Sequence, residues 1–199
     1  MPSNLFRIEK KIPLTNFEIK FFMKKLKEYN FIKKFDDRVI NSLYFENAFL
    51  NIFKNSEEGI LPRKKIRIRN YPDTKNMKFY LEKKISSIEG RFKKVKEISK
   101  EKYNKYCNFG ITDNMYGIIK PKIIVNYIRS YYENNYLRVT FDRNISYNQH
   151  NKNIYSNDHF NVFEVKSKMG SDINSQFIDE FQIRRFSKYC NGIKKLNIN

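Results

Sequence analysis

Four cations stand at alternate positions in one short run, Arg63, Lys65, Arg67 and Arg69, within the segment RKKIRIRNY. In an extended chain, side chains two residues apart share a face. The spacing therefore sets a row of guanidinium and ammonium groups on one side of a strand, with Ile66 and Ile68 on the other. The pattern recurs. Tyr127, Arg129 and Tyr131 share a face opposed by Ile128. Arg138, Thr140 and Asp142 share one opposed by Val139 and Phe141. Glu164 and Lys166 share one opposed by Phe163 and Val165. Arg7, Glu9 and Lys11 fall together near the start, Glu82 and Lys84 are opposed by Leu81, and Lys94 and Lys96 flank Val95. One such strand is only the solvated side of an antiparallel sheet. Seven of them, with Arg as well as Lys, point to an anion. Arginine meets phosphate with a planar fork and lysine meets it as a point charge. Carboxylates among them, Glu9, Glu82 and Glu164, either pair with the cations or hold a divalent metal through hard oxygen ligands.

The elements that must position these residues are mostly strands. Residues 4–12 alternate. Thr15 caps a helix to about Tyr29, with Glu18 three residues on as a capping box and Phe22, Leu26 and Tyr29 near helical spacing. Residues 38–46 are rich in β formers and 47–56 read as a short helix. Three strand-like runs, 63–71, 77–86 and 91–98, are broken by YPDTKN and SSIEG. Ser99 to about Phe109 reads as a helix. After Pro121 come two long strands joined at ENN, a hairpin turn. The polar run from Asn144 to Asp158 reads as a long loop. HFNVFEVKSK gives one more strand, and the C-terminal residues read as helix or mixed structure. About eight strands with few helices make an antiparallel α+β fold, expected as a single domain over residues 1–199. If such a sheet closes into a barrel, its charged faces line the lumen.

Composition bounds the function. The chain has 199 residues with Lys+Arg 40 against Asp+Glu 21, a formal charge of +19. Such an excess implies an anionic partner. Ala occurs once while Ile, Asn and Lys abound, the usage of an A/T-rich genome, so the eleven Arg carry more information than the Lys. Aromatic residues at 16% argue for a folded chain rather than a basic tail. No stretch approaches a membrane span and the N-terminal residues hold no apolar signal core, which makes a cytoplasmic location the expectation. Cys107 and Cys190 lie far apart and read as reduced thiols. His150 and His159 have no metal-ligand spacing, so neither a zinc site nor a Ser-His-Asp triad is expected. Neither GxGxxG nor GxxxxGK occurs.

The order of these motifs resembles one family, the vacuolar transporter chaperone (VTC) domain, the polyphosphate polymerase branch of the triphosphate tunnel metalloenzymes. The matching segments are RIEKK (7–11), VINSLYFE (39–46), RKKIRIRNY (63–71), LEKK (81–84) and GRFKKVK (90–96). They continue with VNYIRSYY (125–132), LRVTFD (137–142), VFEVK (162–166) and RFSKYCNGI (185–193). The resemblance implies an eight-stranded antiparallel β-barrel, a tunnel for tri- and polyphosphate, with flanking helices. It implies transfer of the γ-phosphoryl group of ATP onto inorganic polyphosphate with Mn2+ or Mg2+. By motif matching, catalytic roles fall on Arg67, Arg69, Arg129 and Arg138. Substrate-binding roles fall on Lys11, Lys84, Lys94, Tyr127, Lys166, Arg185 and Lys188. Glu164 matches the metal carboxylate. The choice of Lys94 over Lys93 rests on its sharing a face with Lys96. Asn70 departs from the Trp usual inside the RIRWY motif, and Glu46 from the Asp usual after YF. Eukaryotic relatives add a phosphate-sensing and a membrane domain, so the resemblance implies catalysis in the cytoplasm or action beside a separate membrane protein.

Two other readings compete. Tunnel relatives that hydrolyse triphosphate commonly carry ExExK on the first strand; here that strand offers only Glu9, which disfavours a two-metal hydrolase. A binding module without turnover would show the same cations. The basic charge and the aromatics also permit nucleic-acid binding. No recognition motif for it is present, so no specific nucleic acid is expected.

Overall fold

The computed structural model describes residues 9–167 and 177–198. The start of the first strand-like run, with Arg7, lies outside the described residues. Ten strands and four helices occur among those described. They are β1 (Glu9–Leu14), α1 (Asn16–Glu28), β2 (Ile32–Glu46), α2 (Asn51–Glu58), β3 (Arg63–Asn70), β4 (Phe79–Ser87), β5 (Gly90–Ile98) and α3 (Lys100–Phe109). There follow β6 (Ile111–Asp113), β7 (Gly117–Glu133), β8 (Leu137–Gln149), β9 (Tyr155–Asn157), β10 (Asn161–Ser167) and α4 (Lys188–Lys195). Eight strands form the main order, β1-β10-β8-β7-β2-β3-β4-β5, as expected; the short β6 and β9 pair with β7 and β8.

The chain forms two compact units, each built from segments discontinuous in sequence. The first takes the residues up to Arg38, Tyr127–Ile145 and Asp158–Phe186. The second takes Val39–Asn126, Ser146–Asn157 and the residues from Ser187 on.

In the first unit the strand register puts alternate residues of β1, β10 and β8 on two faces. Lys11 pairs with Glu164 and Glu164 with Thr140, while Ile12 pairs with Phe163 and Phe163 with Phe141. The apolar face is sealed by α1. Glu18 reaches back to the Thr15 N–H at 2.8 Å, the expected helix start. This sets Phe22 and Leu26 into a cluster with Ile12, Leu14, Val139, Phe141, Phe163 and Val165. Phe22 stacks on Phe163 at 3.9 Å, and Phe163 on Phe141 at 4.2 Å. Burying each such side chain stabilises the unit by about 1.5–3 kcal/mol. With one face taken by the core, the charged residues of the same strands are confined to the other face.

In the second unit β2, β3, β4 and β5 pair in antiparallel register. Ile66 and Ile68 are buried on one face of β3, as the alternation requires. The β4–β5 connection is a two-residue turn, Ile88-Glu89, that pairs Ser87 with Gly90. Gly90 takes φ 136°, a value that side-chain-bearing residues avoid.

Among the departures from the sequence reading, β2 begins at Ile32 rather than 38, β9 lies in the run read as loop, and two long strands extend beyond their expected bounds. β7 begins at Gly117 and passes through Pro121, and β8 continues to Gln149 through the polar run expected to be loop. Within that run Ile145 and Tyr147 are buried. Their period-2 spacing is a strand signal masked by the asparagines between them.

Candidate functional site

Each unit carries a cluster of cations gathered around buried carboxylates. In the second unit the centre is Glu82, buried on β4. Register places Tyr44, Arg67 and Glu82 side by side, and Ser42, Arg69 and Tyr80 in the next row. Arg67 donates to Glu82 Oε2 from Nε at 2.8 Å, with Nη2 at 2.6 Å, and from Nη1 to the Tyr44 hydroxyl at 2.6 Å. Arg69 Nη1 lies 3.7 Å from Glu82 Oε1. Lys93 donates to the same oxygen at 2.8 Å. Burial pushes the Glu82 carboxyl up, but the charges of Arg67 and Arg69 and the Lys93 ammonium outweigh it and hold it at about 2. Among the described residues, one carboxylate thus faces three cations. Ser42 lies on the Arg69 face with its buried hydroxyl lacking a hydrogen-bond partner among the described residues.

Lys65 and Lys84 pair across β3 and β4 on this face. Lys65 Nζ donates to the Ser187 hydroxyl at 2.8 Å. Ser187 caps α4, accepting from the Cys190 N–H, and Lys188 is the first residue of that helix. Lys84 is exposed and pairs in register with Lys93. Lys94 pairs instead with Lys83, on the opposite face of β5. There it lines a cavity of about 390 Å³ with Leu81, Ile98 and Tyr106. The expectation for Lys94 is corrected: Lys93 joins the cluster, because the two-residue turn fixes which residues of β5 face Glu82.

In the first unit the centre is Glu164, buried on β10. Lys166 Nζ lies 2.7 Å from its Oε1 and Lys11 Nζ 4.0 Å from its Oε2. Glu9 lies 3.6 Å from Lys11 and 3.7 Å from Lys166. Burial raises the Glu164 carboxyl, while Lys166, Lys11 and Arg129 outweigh it and leave it well below the usual carboxylate range. Arg129 grips the fully buried Asp142 through two bonds, Nε at 2.5 Å and Nη2 at 2.7 Å. Its guanidinium lies 5.3 Å from the ring of buried Tyr127. Arg138 shares the face of Thr140 and Asp142 but is exposed, 3.8 Å from Glu133. Lys11 also donates to the Phe186 carbonyl at 3.0 Å, and its own carbonyl accepts from the Arg184 N–H. The exposed Arg185 therefore lies on a segment tied to Lys11.

Glu46 belongs to neither cluster. Its carboxylate accepts from the N–H groups of Asn47, Ile52 and Phe53 and from the Tyr189 hydroxyl. It satisfies the start of α2 rather than a metal. No group of three His, Cys, Asp or Glu occurs among the described residues. What the first unit does offer is Glu164, the adjacent Glu9, and the Thr140 hydroxyl, which is buried opposite Glu164 without a hydrogen-bond partner among the described residues. Carboxylate and hydroxyl oxygens are hard donors of the kind a divalent ion takes, and here both carboxylates are also in contact with Lys11 and Lys166.

Sequence reasoning missed Ser42, Tyr44, Thr140 and Asp142 as members of the site. Their alternation with apolar residues was readable, but their chemistry follows from the cations beside them.

The class this defines is an antiparallel α+β fold whose strands carry cations gathered around buried carboxylates. A proposed adenylate cyclase from Bacillus halodurans superposes with TM-score 0.56 at 13% identity over 98% of this chain and 91% of that chain. A proposed adenylyl cyclase from Hippeastrum, described as revealing a dominant triphosphatase activity, gives 0.58 at 13% over 95% and 96%. The PH1012 protein of Pyrococcus horikoshii OT3 gives 0.54 at 14% over 98% and 92%. At these identities the likeness is one of fold. No curated protein matches the sequence. The family model of the VTC domain matches residues 3–118 and 113–197. The chain belongs to the VTC domain family.

Proposed function

We propose that the protein is a polyphosphate polymerase that transfers the γ-phosphoryl group of ATP to inorganic polyphosphate. The observation that carries this reading is the pair of cation clusters gathered around buried carboxylates on a chain of the VTC family. Phosphoryl transfer needs positioning and charge stabilisation more than a covalent nucleophile. The acceptor is a phosphate oxygen already ionised near neutral pH, so no strong base is required. In the second unit, Arg67, Arg69 and Lys93 bind phosphate oxygens, with Lys65, Lys84 and Lys188 extending the row. In the first unit, Lys11, Lys166, Arg129 and Tyr127 do so, with Arg138 and Arg185 at its exposed side.

Both inner arginines have Nε and Nη2 engaged by a carboxylate, Arg67 by Glu82 and Arg129 by Asp142. They act as fixed charges aimed at the phosphates, with no reorganisation as charge develops. Glu164, with Glu9 beside it, would hold Mn2+ or Mg2+, which would supply Lewis-acid stabilisation of phosphate charge when bound.

The purified protein incubated with ATP and Mn2+ is expected to yield long-chain polyphosphate on a sizing gel. An Arg67→Ala/Arg69→Ala double variant should lose at least about 100-fold in turnover with its circular dichroism unchanged. Undiminished activity in that variant would sink the assignment. The second reading, triphosphate hydrolysis, is favoured by the triphosphatase activity described for the Hippeastrum structure. Free phosphate as the sole product would identify it.

A further inference from the structure

We infer that Glu82 is an internal anion that excludes single phosphates from the Arg67–Arg69–Lys93 cluster and makes it selective for phosphate chains. The inference rests on the polyphosphate reading above and adds the residue that sets its specificity.

Glu82 occupies the place an incoming phosphate would take. Both Nε and Nη2 of Arg67 address its Oε2. Lys93 at 2.8 Å and Arg69 at 3.7 Å address its Oε1. This is the arrangement by which guanidinium and ammonium groups bind a phosphate oxygen pair. Glu82 is 5% exposed. Tyr44 fixes Arg67 from the far side at 2.6 Å. A buried carboxylate already in contact with the cations competes with any ligand that offers only one phosphate. Orthophosphate must displace it, or share its partners at close range with like charge.

A chain of phosphates is different. It can gain further contacts at Lys65 and Lys84, the next row along the same face. Extra contacts from linked groups add without a second loss of translational freedom. The carboxylate thus raises the threshold for binding, and only multiply charged chains pass it. Discrimination of this kind comes from a repulsive element built beside an attractive one.

The test compares orthophosphate and tripolyphosphate binding by calorimetry at fixed ionic strength, using the full chain. For Glu82→Gln, which keeps the shape and removes the charge, orthophosphate should bind at least about tenfold tighter, the scale of one relieved charge contact. Tripolyphosphate affinity should change by less than about threefold, because a chain seats on Lys65 and Lys84 along the face and need not take the place of Glu82. Glu82→Asp withdraws the carboxylate by one methylene and should tighten orthophosphate by an intermediate factor; it gives the answer if Glu82→Gln does not fold. Orthophosphate affinity unchanged or weaker in the folded variants would overturn the inference and reduce Glu82 to a stabiliser of the strand pair. Failure of the wild type to bind tripolyphosphate would instead overturn the polyphosphate reading itself. The two failures are therefore separable.

Discussion

At the scale of single residues, the carboxylates decide what the cations can do. Glu46, Glu82 and Glu164 are all buried, yet each has a different task set by its neighbours. Glu46 faces backbone N–H groups, and burial raises its carboxyl above the ordinary range despite the Tyr189 and backbone bonds. Glu82 faces three cations and is held at about 2, below the ordinary carboxylate range. Because its folded value is depressed, Glu82 contributes stability above its unfolded pKa, and that stability is lost as pH falls toward the folded value. Thermal melts from pH 6 down to pH 2 should therefore show a decline below about 4.5 to which Glu82 contributes. Glu82→Gln should start lower at pH 6 and decline less steeply. Equal slopes for variant and wild type would show that Glu82 is not ionised against these cations in the folded state.

At the scale of elements, register decides which face a residue occupies. The alternation on β3 was legible because apolar Ile66 and Ile68 separate the cations. The choice between Lys93 and Lys94 was not, since both stand in a run of lysines and exposed residues with no apolar marker beyond Val95 and Phe92. It is fixed by the Ile88-Glu89 turn, and a two-residue reading of SSIEG would have resolved it. The end of β8 was hidden for a related reason, as its buried Ile145 and Tyr147 alternate with polar residues expected in loops. The family motifs carried the placement of Arg67, Arg69, Arg129 and Glu164. The partners Tyr44, Thr140 and Asp142 emerge only when strands are paired.

Helix α4 shows the same dependence on packing. A Cβ on Gly192 would lie 2.7 Å from side-chain atoms of both Ile123 and Tyr147. Gly192→Val should cost roughly 1–3 kcal/mol by overpacking, read as a lowered midpoint in urea. It should also weaken the tie between Lys65 and Ser187 at the start of the helix. A midpoint within error of wild type would mean that Ile123 and Tyr147 yield at no cost.

At the scale of the whole molecule, the formal charge of +19 divides into two populations. Many surface lysines are already matched by acids: Lys24 with Glu28, Lys33 with Asp37, Lys34 with Glu133, and Lys78 with Glu97. Exposed pairs of this kind contribute little to stability, about 0–1 kcal/mol each. In the proposed function their effect would come through the long-range field, which steers polyanions and is screened over about 10 Å at 0.1 M salt. The inner cations act at contact distance and are screened far less. Replacing Lys24, Lys33, Lys34 and Lys78 by Gln should therefore slow polyphosphate association by a few-fold at low salt, roughly the scale of a partial loss of steering. The difference should vanish near 0.5 M salt, with turnover at saturating ATP unchanged. Stopped-flow association at the two ionic strengths, beside steady-state turnover, makes the comparison. A parallel drop in turnover would place some of these surface lysines at the reacting phosphates and would break the division between steering and contact charges.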